Sequence, residues 1–324
     1  MIKKFIIAII SLVFLTNTNF AFAQLGTGDI TLSISPSIPK SGDTIKAVVK
    51  SYSVDLNKAY IIWKLNDETR ISGIGKTSFS FILGAISSQN DLNVSIETVD
   101  GKTINKSLSI TSNDVDLLWE ATDSYVPPFY KGKALFGREG EIKVSAIPSI
   151  YSGQNKVSPN TLSYTWEKDG NGDIKASGFG KNYFTYKNSF LDKNNTIRAT
   201  ISTINNTTNA KGEITIFPTE PKVVVYKKNY FGDYIKALDL DNNIPKEGAL
   251  LVAVPYFFSP YDIRDNNLKI DWFVNGEQIL NPISKNELFI EPATGKTGTA
   301  TVQLVVENIK TLFQSTQRKV LINF

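Results

Sequence analysis

Ile62-Trp63-Lys64-Leu65-Asn66-Asp67, Thr165-Trp166-Glu167-Lys168-Asp169-Gly170 and Asp271-Trp272-Phe273-Val274-Asn275-Gly276 are three copies of one short phrase. Each places a tryptophan in an apolar stretch and two turn-forming residues just beyond it. The copies recur roughly every 100 residues, the size of one β-sandwich module. Upstream of each lies a basic residue, one further residue and a glycine: Lys40-Ser41-Gly42, Arg138-Glu139-Gly140 and Lys246-Glu247-Gly248. A run with strand character follows each glycine, as in Thr44 to Val49, Glu141 to Ala146 and Leu250 to Val254. Such residues suit a pleated, half-buried surface. The order glycine, strand, tryptophan, turn, strand, three times over, predicts an all-β chain of three tandem β-sandwiches.

Alternation extends the pattern outward. Ile30, Leu32 and Ile34 take every second position, which is the period of a strand with one buried face. Leu92, Val94, Ile96 and Leu108, Ile110 lie on either side of Asp100-Gly101, a pair expected to turn a hairpin with positive φ at both residues. The polar tract Asn205 to Asn209 separates two further strands. These signals place the modules at residues 24–112, 113–218 and 219–324. The second and third open on an apolar strand, Leu117-Leu118-Trp119 and Val223 to Tyr226. An aromatic insertion follows in each, ending in Tyr130-Lys131-Gly132-Lys133-Ala134-Leu135 and Tyr234-Ile235-Lys236-Ala237-Leu238. A β-ribbon or structured loop is expected there. Short linkers suggest a semi-rigid string of modules.

Residues 1–23 have the pattern of a cleaved secretory signal. Lys3 and Lys4 precede the apolar stretch Phe5 to Leu15, and Ala21-Phe22-Ala23 offers a small-x-small cleavage site before Gln24. The apolar stretch falls short of the roughly 20 residues of a membrane-spanning helix, and no other segment approaches one. The expectation is an exported protein, extracellular, on the cell surface or periplasmic, with no membrane span after cleavage.

Among 324 residues there is no cysteine and no histidine. Disulfides, lipid attachment to an N-terminal cysteine and thiol catalysis are excluded. Ser-His-Asp triads and nearly all zinc, copper and haem sites go with the histidine. No metal and no cofactor is expected. The formal net charge of +4 falls to about +2 without Lys3 and Lys4. Basic residues are interspersed with acidic ones, whereas a nucleic-acid groove needs them clustered, so no nucleic-acid partner is expected.

With these features in place, each repeat resembles a bacterial immunoglobulin-like sandwich of the PKD or fibronectin-III type. The resemblance rests on Trp-x-x-Asn/Asp-Gly at Trp166 and Trp272 and on the late strand Thr301 to Asn308. It implies three tandem immunoglobulin-like domains with each tryptophan packed across a core. The first copy departs in having Asn66-Asp67. The opening of the second repeat, Leu117 to Leu135, is similar to exported immunoglobulin-like surface proteins of candidate-phylum bacteria, some associated with pilus or envelope systems.

Trp63, Trp166 and Trp272 have the flat rings that stack on sugars, but their equivalent places in apolar strands favour a structural core role. Asp169-Gly170-Asn171-Gly172-Asp173 begins like a calcium loop. It lacks the glycine and acidic residue needed at the sixth and twelfth positions, where Ile174 and Gly180 stand, so a hairpin turn is favoured. Val126-Pro127-Pro128-Phe129-Tyr130 matches a ligand of WW domains, a coincidence in an exported bacterial chain. The candidate binding residues are the aromatics of the two insertions: Tyr125, Phe129 and Tyr130 in one, Tyr230, Phe231 and Tyr234 in the other. Exposed, they suit protein or glycan contacts. Packed between successive modules together with Trp119 and Tyr226, they would stiffen the chain.

Three functions follow. The leading one is a non-enzymatic structural or interaction protein of the bacterial envelope exterior, a pilus- or envelope-associated stalk, with envelope or surface proteins as partners. The second is an adhesin or carbohydrate-binding protein using the inter-domain aromatic loops. The third is a carboxylate-dependent hydrolase, for which no Asp or Glu pair stands out from its repeat context. Oligomeric state and mode of retention at the cell are left open.

Overall fold

The computed structural model describes residues 30–153, 155–229, 231–239, 241–293 and 297–324. The expected signal over 1–23 and the candidate Tyr230 lie outside the described residues. Those described form strands joined by loops, with a single short 3-10 turn at Pro159–Thr161.

The first seven strands are β1 (Thr31–Ser35), β2 (Thr44–Lys50), β3 (Tyr60–Leu65), β4 (Glu68–Ile74), β5 (Ser78–Ile82), β6 (Gln89–Glu97) and β7 (Thr103–Thr111). They make two sheets of order β1-β2-β5 and β4-β3-β6-β7. Next come β8 (Asp114–Ala121), β9 (Glu141–Ser149), the short pair β10 (Tyr151–Ser152) and β11 (Asn155–Lys156), β12 (Ser163–Lys168), β13 (Asn171–Phe179), β14 (Tyr183–Lys187), β15 (Asn195–Ser202) and β16 (Asn209–Ile216). Their main sheets are β14-β9-β8 and β13-β12-β15-β16.

The last group is β17 (Lys222–Lys228), β18 (Tyr234–Ala237), β19 (Asp241–Asn243), β20 (Ala249–Tyr256), β21 (Leu268–Val274), β22 (Glu277–Ile279), β23 (Glu287–Ile290), β24 (Thr299–Asn308) and β25 (Ser315–Asn323). Here the sheets are β18-β17-β20-β23 and β19-β25-β24-β21-β22. In strand letters, all three share an A-B-E sheet facing a C′-C-F-G sheet, the fibronectin-III arrangement. The chain is all-β: three tandem immunoglobulin-like sandwiches. Contacts divide it into two compact units. One takes the described residues up to Ser37 with Thr44–Ile82 and Asn90–Ile110; the other takes Ile38–Asp43, Leu83–Gln89 and Thr111–Phe324. The second and third sandwiches share the latter unit.

The repeated tryptophan explains the core of each sandwich. Trp63, Trp166 and Trp272 are fully buried on the C strands. A buried indole N–H needs an acceptor, and each finds a lysine carbonyl just ahead of the E strand. The pairs are Lys76 at 2.7 Å, Lys181 at 2.9 Å and Lys285 at 3.4 Å. The ring itself meets an E-strand phenylalanine in two copies, Phe79 at 6.0 Å and Phe184 at 5.9 Å between centroids. One side chain thus ties the two sheets together by packing and by a hydrogen bond.

The two residues after each tryptophan phrase form the tight C–C′ hairpin. Positive φ occurs at Asn66 and Asp67 (53° and 63°), Asp169 and Gly170 (52° and 80°), and Asn275 and Gly276 (51° and 90°). That is the primed turn whose twist matches the flanking strands, and Asn, Asp and Gly tolerate it best. The calcium-like string is this turn followed by β13. Asp169 accepts the Thr196 N–H at 2.7 Å and pairs with Lys168 at 3.2 Å. The expectation for Asp100-Gly101 needs correction. Of that pair only Gly101 takes a positive φ, because the bend runs from Thr98 to Lys102 and is closed by the Thr98 N–H on the Lys102 carbonyl (2.9 Å).

Candidate functional site

Leaving β8, the chain does not turn directly into β9. Ala121 N–H donates to the Ala134 carbonyl (3.0 Å) and so roots an insert of residues 122–133. In the third sandwich Tyr226 pairs with Ala237, rooting the equivalent insert 227–236 as the β17–β18 hairpin. The aligned phrases Lys133-Ala134-Leu135 and Lys236-Ala237-Leu238 mark the same return point.

The second-sandwich insert is a strap laid over the third sandwich. Tyr130 N–H closes a turn on the Pro127 carbonyl (2.9 Å), and Pro128 and Phe129 occupy its tip. The turn aims Phe129 at Tyr226 and Tyr234, with centroids 5.3 and 4.7 Å away, and Tyr130 at Tyr256 and Phe257, 5.8 and 6.3 Å away. Tyr226 and Tyr256 project from the outer face of β17 and β20, since Val225, Leu251 and Ala253 face the core. Val252 and Val254 share that outer face and are fully buried nonetheless. A sheet face that would ordinarily meet water is covered. The Pro-Pro-x-Tyr string therefore has an internal role as the rigid tip of the strap.

A polar lock lies beside the aromatic one. Tyr125 N–H and Ser124 Oγ donate to the Phe258 carbonyl at 2.8 and 3.5 Å. Asp123 takes the Ser259 hydroxyl on Oδ2 (2.8 Å) and the Glu141 N–H on Oδ1 (2.9 Å). Gln314, 1 % exposed, spans the joint. Its Nε2 donates to the Arg138 carbonyl (2.7 Å), while its Oε1 accepts from Ser259 N–H (2.8 Å) and Asn308 Nδ2 (3.2 Å). Glu139 accepts the Leu312 N–H at 2.8 Å. Phe190 stacks on Phe313 at 6.1 Å, with the Arg138 guanidinium 5.5 Å over the same ring. At Gly137 a Cβ would come within 2.8 Å of the Phe257 carbonyl, so only glycine lets the backbones approach this closely.

The electrostatics record the burial. Desolvation raises the Asp123 carboxyl above its usual range, partly offset by the Glu141 and Ser259 hydrogen bonds. Burial likewise raises the Tyr125 phenol. The Tyr256 phenol is raised by burial and by its hydrogen bond with Tyr226, the two hydroxyls being 3.0 Å apart. These groups are arranged to clamp. Burying two or three rings removes a few hundred Å2 from water, on the order of 5–10 kcal/mol before ordering costs.

Of the sequence candidates, Tyr125, Phe129, Tyr130 and Tyr234 meet in this joint, with Phe129 left 38 % exposed. Phe231 is 86 % exposed. Trp119 differs from expectation. Its ring meets Phe136 edge-on at 5.7 Å, and the Lys133 ammonium sits 3.4 Å from its centroid, so it completes the second sandwich. The reason is its place on β8, ahead of the insert. Sequence reasoning missed Tyr256, Phe257, Ser259, Asn308 and Gln314. The run Tyr256-Phe257-Phe258 at a strand end and the apolar Leu312-Phe313 in a loop were the available signals.

No protein-family model and no curated protein matches the chain. Among solved structures, it is similar to the three N-terminal domains of the bacteriophage RB49 highly immunogenic outer capsid protein, with 11 % identity, 91 % of this chain and 98 % of that one covered, and a TM-score of 0.27. The central fibronectin-III array of RIM-binding protein matches with 9 % identity, 90 % and 95 % coverage, and a TM-score of 0.31. The fibronectin(III)-like modules of Clostridium thermocellum CbhA match with 14 % identity, 58 % and 94 % coverage, and a TM-score of 0.29. Among the described residues no helix is long and apolar enough to cross a membrane.

Proposed function

We propose that the chain is a non-enzymatic, exported spacer of the bacterial envelope exterior, a stalk whose second and third sandwiches are held by a built joint. The observation that supports this most is the strap: twelve residues, 122–133, are spent on covering the neighbouring sandwich. A freely jointed array needs no such element. The signal-like leader supports export, and the absence of cysteine and histidine from the sequence removes the commonest catalytic chemistry.

Cell fractionation with N-terminal analysis tests the proposal. The protein is expected outside the cytoplasm with Gln24 as its first residue. A cytoplasmic protein retaining residues 1–23 would contradict it. The adhesin reading keeps one supporting observation, the exposure of Phe231. A glycan array decides it: binding lost in Phe231→Ala with an unchanged melting temperature would favour adhesion over spacing.

A further inference from the structure

Asn93-Val94-Ser95 on β6 and Asn105-Lys106-Ser107 on β7 repeat one short phrase on neighbouring strands of the first sandwich. Burial of Leu92, Val94 and Ile96 in the core turns Asn93 and Ser95 outward, and Asn105 and Ser107 are exposed on β7. Together with Lys64 of β3 they line a groove of about 470 Å3 on the outer face of the C′-C-F-G sheet. That lies within the roughly 300–1,000 Å3 of small-ligand sites. Lys106 adds a second ammonium group to the lining and Asp67 a single carboxylate.

The same place is closed in the other two sandwiches. Lys64, Glu167 and Phe273 each follow the core tryptophan, and they stand opposite Asn93, Arg198 and Gln303 on the next strand. In the second sandwich Arg198 donates to Glu167 and to Glu213, both at 2.8 Å, so the face satisfies itself. In the third, the Gln303 amide donates to Gln317 at 3.3 Å. The first sandwich breaks this symmetry. The side chains of Lys64, Asn93, Ser95, Asn105, Lys106 and Ser107 make no hydrogen bond or ion pair with any described residue.

We propose that this groove binds an acidic carbohydrate, a sugar chain bearing carboxylate groups. Asn and Ser side chains each offer a donor and an acceptor, as a sugar hydroxyl does, so two rows of them match a hydroxyl-rich ligand. Two ammonium groups against one carboxylate make the groove net positive and favour a carboxylate on the sugar. None of the described lining residues is aromatic, so nucleic-acid bases have no platform to stack on. Ile62 and Val94 alone among them are apolar, too little to seat the side chains of a peptide. A spacer does not require this site, so the two are tested apart.

Affinity electrophoresis of the mature chain in gels carrying alginate, pectate or hyaluronate tests it. Hydroxyethyl cellulose serves as the neutral sugar polymer and polyglutamate as the carboxylate polymer without hydroxyls. Retention is expected on at least one acidic polysaccharide and on neither control polymer. Asn93→Ala with Asn105→Ala, and Lys64→Ala with Lys106→Ala, should each raise the dissociation constant about tenfold or more. Lys46→Ala with Lys50→Ala, exposed on β2 of the opposite sheet, removes the same charge and should leave it unchanged. Lys64→Glu with Asn93→Arg installs the ion pair of the second sandwich and should abolish retention at an unchanged melting temperature. No retention on any acidic polysaccharide, equal retention on either control polymer, or retention indifferent to the groove substitutions would each overturn the proposal. Retention lost only in Phe231→Ala would overturn it too, in favour of the adhesin reading. A chain retained as expected yet found in the cytoplasm would keep the groove and remove the spacer.

Discussion

Gln314→Leu is the sharpest perturbation of the joint, because it keeps the volume and removes only the hydrogen bonds. The wild-type amide accepts from Ser259 N–H at 2.8 Å and donates to the Arg138 carbonyl at 2.7 Å, one partner on each sandwich. Leucine leaves that donor and that acceptor without their side-chain partner at a position where Gln314 itself is 1 % exposed. Each such group costs about 1–3 kcal/mol, so the loss is about 2–6 kcal/mol. For a unit of this size, that corresponds to a fall of roughly 5–20 °C in melting temperature. Differential scanning calorimetry of the mature chain reads it. Gln303→Leu is the control, since Gln303 sits on β24 with its amide bonded only to Gln317 at 3.3 Å in an exposed pair. An exposed site of this kind should shift stability by no more than about 0.5 kcal/mol. If Gln314→Leu behaved like the control, the polar lock would be ornamental and the reasoning wrong.

Gly137→Ala should loosen the joint by about 1–3 kcal/mol, since its Cβ would meet the Phe257 carbonyl at 2.8 Å; Gly172→Ala, whose Cβ meets nothing within 4 Å, should not, and chemical denaturation compares them. Asp123→Asn tests the pH response. Burial raises the Asp123 carboxyl above 3.8 in the folded chain, so its contribution is fullest below the unfolded value and declines as pH rises through the folded one. Wild type and Asp123→Asn should therefore differ in the pH dependence of their melting temperatures as pH rises from about 4, with the wild type losing stability relative to the variant on going up. Parallel curves across that window would remove Asp123 from the lock.

The sandwiches were legible because their signals are local. Alternation, a tryptophan at a fixed place and Asn, Asp or Gly two and three residues on are all contained in one hairpin. The joint was legible only as a crowd of aromatics. Tyr125, Phe129 and Tyr130 have the same composition whether they cover a neighbouring sheet or await a partner, and what decides is the bare outer face of β17 and β20. No pattern in β20 announces that face, because Val252 and Val254 read simply as strand residues. Gln314, Ser259 and Asn308 were invisible for a different reason: polar residues in loops and at a strand end look solvated until a second surface closes over them. Trp119 was misplaced because it lies close in sequence to the insert yet stands on β8, where its ring meets Phe136 of the same sandwich and the insert's last residue, Lys133, folds back over it.

The rigidity of the pair formed by the second and third sandwiches is the central claim, and one distance distribution tests it most directly. The chain has no native cysteine, so Ile174→Cys on β13 and Leu280→Cys just after β22, both exposed, can be spin-labelled without background. Pulsed dipolar spectroscopy should give a single narrow distribution that broadens when Phe129→Ala and Gln314→Leu are combined. A broad or multimodal distribution in the wild-type protein would contradict the account.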